Sequence, residues 1–370
     1  MTRIRRLYRG QNDFDFPGLW MRVGLFSMVL LVISIGSLFF RGLNLSIDFE
    51  GGAVWEVPTE EMTTDEALDV LGDFDKESGA KVQEVEDPNG NRILRIQADS
   101  EDIEESSRIA EAYATAAGVS TDDISTNTVG PSWGEEITKQ AGKSLIVFLV
   151  LVGAYITFTL EWRMAIAALT AVLHDVLLTV GVYSVFQFQV TPATVISFLT
   201  ILGYSLYDTI VVYDRVRENS ARYDRSAQFT YTAVMRRSLN QVFMRSFNTT
   251  VSTLMPVISM LVLGSFVFGQ PVLRDFSLAL LIGLAFGSYS SFFIAAPFTS
   301  WLKEKEQKYA RIRQRATERG LLEAADHVPL TAASATLKAA SAGTKTAEQQ
   351  SKAALYERPV PPRPRKGKRS

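Results

Sequence analysis

The sequence predicts an α-helical polytopic membrane protein: six transmembrane helices with an external α+β domain of ferredoxin-like topology. Three observations predict it. Six apolar stretches of 17 to 25 residues lie along the 370-residue chain, each long enough, or nearly so, to cross a hydrocarbon core of about 30 Å as a helix. Charge is segregated, because residues 42–143 hold 24 Asp and Glu against 7 Lys and Arg, and the remainder holds 16 against 31. The acidic segment, finally, alternates strand and helix patterns between the first two apolar stretches. A wholly soluble globular protein is excluded. The absence of cysteine excludes disulfides and thiolate chemistry, and two histidines leave too few ligands for a histidine-built metal site.

Residues 1–18 form a short basic N-terminus with Arg3, Arg5, Arg6 and Arg9. The first span, 19–40, exceeds a signal-peptide core, and no small-residue cleavage pattern follows it, so it stays as an anchor. Within the domain at 41–143, residues 46–57 have strand character. Residues 63–74 open on a threonine cap with Ala67, Leu68 and Leu71 at helical spacing, and 81–86 returns to strand. Asp87-Pro88-Asn89-Gly90 is a hairpin signal leading to Ile93, Leu94 and Ile96. A helix over 100–117 and a strand over 124–129 complete the order β-α-β-β-α-β, which fits a ferredoxin-like sandwich. Its acidity reads as a solvated face.

Five further spans, 144–160, 164–186, 192–213, 246–268 and 276–300, make a bundle over 144–301 with a basic loop at 214–245. The connectors alternate in charge. Arg-rich loops stay in the cytoplasm, which puts both termini inside and the acidic domain outside. Residues 302–370 carry 16 bases and 7 acids, which predicts a helical extension to about Leu322 followed by a largely disordered basic tail. Anionic lipid is its default partner, at about 1 kcal/mol per basic residue near the surface.

Polar residues inside the spans mark the candidate site. Asp208 lies in the fourth span, with Thr194, Ser197, Tyr204 and Ser205 within about a third of a turn of it. In the fifth span Arg245, Asn248, Thr249, Ser252, Pro256 and Ser259 recur at helical spacing. The two spans are antiparallel across a short loop, so Asp208 and Arg245 can approach. His174 and Asp175 stand near the middle of the third span. A carboxylate in such a place can load and release a proton, whereas an arginine stays charged and can only hold or expel that carboxylate's charge. Each residue also has a plainer reading: Arg245 snorkelling to phosphates, Asp208 at a wet helix end, His174-Asp175 as a buried structural pair. Gly283-Leu284-Ala285-Phe286-Gly287 reads as a close-packing motif, Pro256 as a kink or a break in the helix ladder, and Gly51-Gly52 as a turn or bulge.

These blocks, Ile47-Asp48-Phe49-Glu50-Gly51-Gly52, His174-Asp175, GYSLYDTIVVYDRVREN at 203–219 and SLNQVFMRSFNTTVST at 238–253, resemble the signatures of the SecF family over about residues 1–310. The resemblance implies half of an RND-like bundle, pairing with SecD. It also implies work with the SecYEG channel and the SecA ATPase, and use of the proton-motive force to promote late translocation or release of preproteins. It implies a bacterial cell-membrane location, no cofactor besides the proton gradient, no specific nucleic acid and no covalent catalysis. By motif, Asp208 matches the family's proton-relay aspartate, Arg245 its functional arginine, and His174-Asp175 a recurrent pair. Tyr207 departs from the pattern, since many members have asparagine before the aspartate. The basic tail lies outside the resemblance.

Three other functions compete. An intramembrane aspartyl protease would use Asp175 and Asp208 as a dyad, but GxGD and Pro-Ala-Leu motifs are missing and the two residues differ in depth by roughly 9 Å. Half of an RND-like small-molecule or lipid exporter would share the bundle physics, and its docking domain would be larger. A purely structural subunit stabilising SecD would lose assembly, or lose nothing, when Asp208 is neutralised.

Overall fold

The computed structural model describes residues 14–59, 61–86, 90–100, 103–223, 228–267 and 270–328. Six helices have membrane-crossing length and apolarity. They are α1 (Phe16–Phe40), α5 (Pro131–Thr159), α6 (Trp162–Phe186), α7 (Pro192–Tyr223), α8 (Tyr231–Val262) and α9 (Pro271–Ser290). A π-helical turn at Leu263–Val267 extends α8, and another at Ser291–Ala295 joins α9 to α10 (Ala296–Glu304). The chain is a multi-pass membrane protein.

The helices divide by burial. About half of the central window of α6, α7 and α9 is buried (56%, 44% and 50%), against 11%, 6% and 11% for α1, α5 and α8. The first three form the centre, and small residues let them close up. A Cβ on Gly181 would fall 2.1 Å from Ser34 of α1, and one on Gly283 would fall 2.2 Å from Ile201 of α7. The Gly283–Gly287 pair thus serves packing, as membrane helices require when lipid gives no hydrophobic drive between them. α8 runs through Pro256 without interruption.

The α+β domain contains β2 (Gly52–Pro58), α3 (Thr64–Gly72), β3 (Lys81–Glu86), β4 (Arg92–Ala98), α4 (Ile103–Ala117) and β5 (Ser125–Val129). The sheet order is β3-β4-β2-β5, every neighbouring pair antiparallel, which is the ferredoxin-like arrangement. Alternate residues of the central strands, Trp55, Val57, Leu94 and Ile96, are fully buried under the two helices with Ile109 and Tyr113. Trp55 and Tyr113 meet the polar demand of burial by donating to the carbonyls of Ser106 (2.9 Å) and Ala67 (3.0 Å). Thr63 caps α3 in a reciprocal box with Glu66. Most of the expected hairpin turn, 87–89, lies outside the described residues.

Several boundaries differ from those read in the sequence. Residues 46–57 are not one strand: a two-residue strand β1 (Asn44–Leu45) precedes a single helical turn, α2 (Ile47–Glu50), and then β2. Gly51 and Gly52, at φ 84° and 100°, make that switch. A Cβ on Gly52 would stand 2.5 Å from the Ala98 carbonyl oxygen, and one on Gly134 of α5 would stand 2.9 Å from both the Gly51 nitrogen and the Phe49 oxygen. The paired glycines therefore answer a backbone need. The second span starts at Pro131 rather than 144, its first turns being polar helix that packs on α2. The loop expected at 214–245 is largely helix, because Tyr213, Val216, Tyr231, Met235 and Leu239 bury one another at the end of α7 and the start of α8.

The domain is tied to the bundle by a parallel ladder between β1 and β6 (Gln189–Val190), the connector between α6 and α7. Gln189 also donates to the Gln97 side chain at 2.9 Å. At the opposite end the predicted helical extension is divided into α10, α11 (Gln307–Glu318) and α12 (Leu322–Ala325). They fold back: Tyr309 and Ile312 join the bundle core, Lys303 bridges Glu161 and Glu306, and Thr230 donates from its backbone to Ala325 at 3.0 Å. Residues 329–370, where a disordered basic tail was expected, lie outside the described residues.

Candidate functional site

Two ionisable groups occupy the centre of the bundle side by side. Asp175 is fully buried and His174 is 5% exposed. They sit on the face of α6 that meets α1, α7 and α9. His174 Nδ1 lies 2.9 Å from Asp175 Oδ1, and Asp175 Oδ2 accepts from Ser205 Oγ of α7 at 2.6 Å and from Ser290 Oγ of α9 at 2.7 Å. The far ring nitrogen, Nε2, is hydrogen-bonded to Ser27 of α1 and lies 3.2 Å from the Tyr289 hydroxyl. Four helices thus converge on one imidazole–carboxylate pair. A neutral ring donating from Nδ1 accepts at Nε2 from a hydroxyl, and a protonated ring donates to that hydroxyl instead. Both charge states keep their hydrogen bonds, since Ser and Tyr hydroxyls donate or accept as needed.

Asp208 is differently placed. It is 9% exposed and lines a small open cleft together with Tyr204, Tyr207, Thr249, Thr250, Thr253 and Ser288. Among the described residues no hydrogen-bond donor reaches its carboxylate. Ser205, which bonds Asp175, stands three residues earlier on α7, about 4.5 Å of helix rise away. A turn of α7 therefore links the open carboxylate to the closed one. Arg245 is exposed at the cleft's edge and donates from Nη2 to the Tyr207 hydroxyl at 3.4 Å. The residue that departs from the family pattern is the one that holds the guanidinium. The approach of α7 and α8 predicted for Asp208 and Arg245 is present, with Tyr207 as the direct contact.

The polar stripe of α8 does not face inward. Arg245, Asn248, Ser252, Pro256 and Ser259 are exposed, as are Tyr204 (47%) and Tyr207 (51%) across the cleft. No carboxylate dyad forms, because both oxygens of Asp175 are bonded by His174, Ser205 and Ser290. Sequence reasoning missed Ser27, Tyr289 and Ser290. Ser27 is a lone hydroxyl inside an apolar span, and Tyr289-Ser290-Ser291 is a polar run inside another. Hydroxyls at mid-span were the available signal, and it was weak because serine readily bonds its own helix backbone.

A multi-pass bundle with charged and titratable groups at its centre, capped at one end by a small α+β domain, is the layout of an integral membrane transport subunit. The family model "Protein export membrane protein SecD/SecF, C-terminal" matches residues 109–305, and the "SecD/SecF GG Motif" model matches residues 36–61. The chain is 39% identical over 313 residues to protein translocase subunit SecF of Streptomyces coelicolor, covering 84% of this chain and 82% of that protein. It is 36% identical to the SecF subunit of Mycobacterium tuberculosis, over 85% of this chain and 73% of that one. Among solved structures, SecDF of Thermus thermophilus, described as a translocon-associated membrane protein, superposes with a TM-score of 0.70 at 29% identity over 80% of this chain and 39% of that one. The chain belongs to the SecD/SecF family of protein-export membrane proteins. Its place is in Sec-dependent protein export, on the SecF side of the family.

Proposed function

We propose that this chain pairs with a SecD subunit in the bacterial cell membrane and couples inward proton movement to the late translocation or release of preproteins from the SecYEG channel driven by SecA. In this reading Asp208 accepts the proton. Arg245 is its fixed counter-charge, and His174-Asp175 forms the inner store to which the proton passes through the Ser205 turn. Each proton crossing about 100 mV releases roughly 2.3 kcal/mol, enough to bias a conformational equilibrium. The proton gradient is the energy source, and no bond of the preprotein is made or broken. Both termini face the cytoplasm, as the basic connectors require, and the α+β domain faces the emerging chain outside.

One observation carries the proposal: Asp208 is nearly buried at the wall of an open cleft with no donor on its carboxylate, while the neighbouring network is fully satisfied. A structural aspartate would be capped, since leaving a buried carboxylate without hydrogen bonds is costly. The fused SecDF relative, 30% identical over 80% of this chain and 40% of that protein, supports the pairing, as does the exposed polar stripe of α8. The test is export of a secreted reporter in cells that depend on the Asp208→Asn variant, with pull-down of SecD as the assembly control. Stalled export with intact pairing is expected. Normal export would remove Asp208 from the mechanism.

A further inference from the structure

The two hydroxyls that α9 brings to the central pair, Tyr289 and Ser290, stand immediately before the π-helical turn Ser291–Ala295. Such a turn absorbs one extra residue and is seldom kept without a use. Its contacts show what it aligns. Ser291 is hydrogen-bonded to Thr209 at 2.8 Å, and Thr299, eight residues on, to Tyr213 at 2.6 Å. Thr209 and Tyr213 stand four residues apart on α7 and so are neighbours on one face. In an unbroken α-helix Ser291 and Thr299 would point about 80° apart, whereas the extra residue brings them within about 20°. The turn thus lets α9 and α10 present one face to α7. The residues just before it meet the pair instead, Ser290 reaching Asp175 at 2.7 Å and Tyr289 reaching His174 at 3.2 Å.

A wide turn leaves a carbonyl to be satisfied. In an i→i+5 pattern the main-chain donor for the Phe292 carbonyl would be residue 297, and that residue is Pro297, which has no N–H. The donor comes instead from α1, where Trp20 Nε1 donates to the Phe292 oxygen at 3.1 Å. From α7 the Tyr213 hydroxyl donates to the Ala295 carbonyl at 3.4 Å. Phe292 and Ala295 are both buried, and a buried carbonyl left unpaired is costly. An indole near a helix end ordinarily marks the membrane interface. This one is half-buried and uses its N–H inside the bundle. It stands seven residues before Ser27, about 10 Å of helix away from the α1 hydroxyl that touches His174.

We propose that Trp20 is a positioning residue for the His174–Asp175 pair: by satisfying the Phe292 carbonyl it holds the π turn, and the turn aims Ser290 and Tyr289 at the pair. Without the indole N–H the stranded carbonyl drives the turn to re-form around another donor. A shift of one residue in that turn swings Ser290 and Tyr289 by about 100° round the helix. Of the hydroxyls on the pair, Asp175 then keeps that of Ser205 and His174 keeps that of Ser27. The inference rests on the reading of this pair as the inner part of the proton path, and it adds a residue that touches neither member.

The chain holds two histidines, His174 and His327, so labelling histidine with the heavy nitrogen isotope reports the pair directly by magnetic resonance. The labelled chain is combined with unlabelled SecD in lipid nanodiscs, and His327→Gln assigns the spectrum. The double variant Tyr289→Phe/Ser290→Ala then gives the shift of the His174 ring nitrogens that follows loss of both α9 hydroxyls. Trp20→Phe, which keeps an aromatic ring and removes the N–H, should move the same nitrogens in the same direction, at least about half as far, and leave His327 in place. Added to the double variant it should move them no further, whereas added to Ser27→Ala it should have its full effect. Replacing the indole at position 20 by benzothiophene removes the N–H at constant volume, and it is the deciding variant if Trp20→Phe fails to pair with SecD. His174 nitrogens that stay in place overturn the proposal. So does a full further shift on the double-variant background, because the indole would then act through α1 and Ser27. The readout is a ring shift and not export, so its failure is separate from that of Asp208→Asn in the export assay.

Discussion

The two aspartates of the central bundle make opposite demands on a neutral substitute. Asp175 receives Ser205, Ser290 and His174, so an amide there turns donors against donors. Asp175→Asn should destabilise the protein by about 1–3 kcal/mol, the usual cost of stranding buried polar groups. Asp208 has no donors to lose, and its replacement by Asn should leave unfolding in detergent nearly unchanged. Denaturation of the two variants side by side checks this, and a larger loss at Asp208 would mean that its carboxylate has partners in the folded protein. That Asp208, Arg245, His174 and Asp175 lie in membrane-crossing helices was legible from the sequence, because each is a charged or titratable group in or beside an apolar stretch. Tyr207 was legible only as a departure. Its task of holding Arg245 depends on the crossing of α7 and α8, which residue spacing on one helix does not contain.

At the scale of elements, the capping box and the glycine crossings give separate tests. Thr63 donates its backbone N–H to Glu66 at 2.8 Å and its hydroxyl at 3.1 Å, and these bonds hold the Glu66 carboxyl below its ordinary range. A group with a lowered folded pKa adds stability above its unfolded pKa and loses it as pH falls through the folded one. Amide protection at the start of α3, taken relative to intrinsic exchange at each pH, should therefore fall below about pH 4, and Glu66→Gln should remove that pH dependence. Gly134→Ala should separate α5 from the Phe49–Gly51 backbone, since the obstacles are main-chain atoms that cannot rotate away. The expected cost is about 1–3 kcal/mol, read as lower thermal stability. The long helices and the βαββαβ order were visible as periodicity. The one-turn α2 and the two-residue β1 and β6 were not, because so few residues carry no period, and β1 and β6 find their hydrogen bonds only in each other, some 140 positions apart.

For the molecule as a whole, the exposed polar face of α8 is the feature that a single chain leaves unfinished. Asn248 and Ser252 point outward from a helix that lipid would surround, and polar side chains there are costly unless another helix meets them. Replacing both by leucine should leave this chain's own fold intact and reduce co-purification of SecD several-fold. Unchanged pairing would place the partner on another face. The division into a buried trio, α6, α7 and α9, and a peripheral trio could not be read from apolarity, because all six spans are apolar.

The seating of α1 bears on how the protein is made. Ser27 finds its partner His174 147 positions later. The backbone of Phe14 is clasped by Asn240, 226 positions on, through bonds of 2.7 and 3.0 Å. A ribosome delivers α1 to the membrane long before either partner exists, so this helix must wait in lipid as an independent span. Its N-terminal clasp can close only after α8 has been inserted. Maturation of the bundle is thus a late, post-insertion event, and a chain halted before α8 would hold its first helix in the membrane but not in its place.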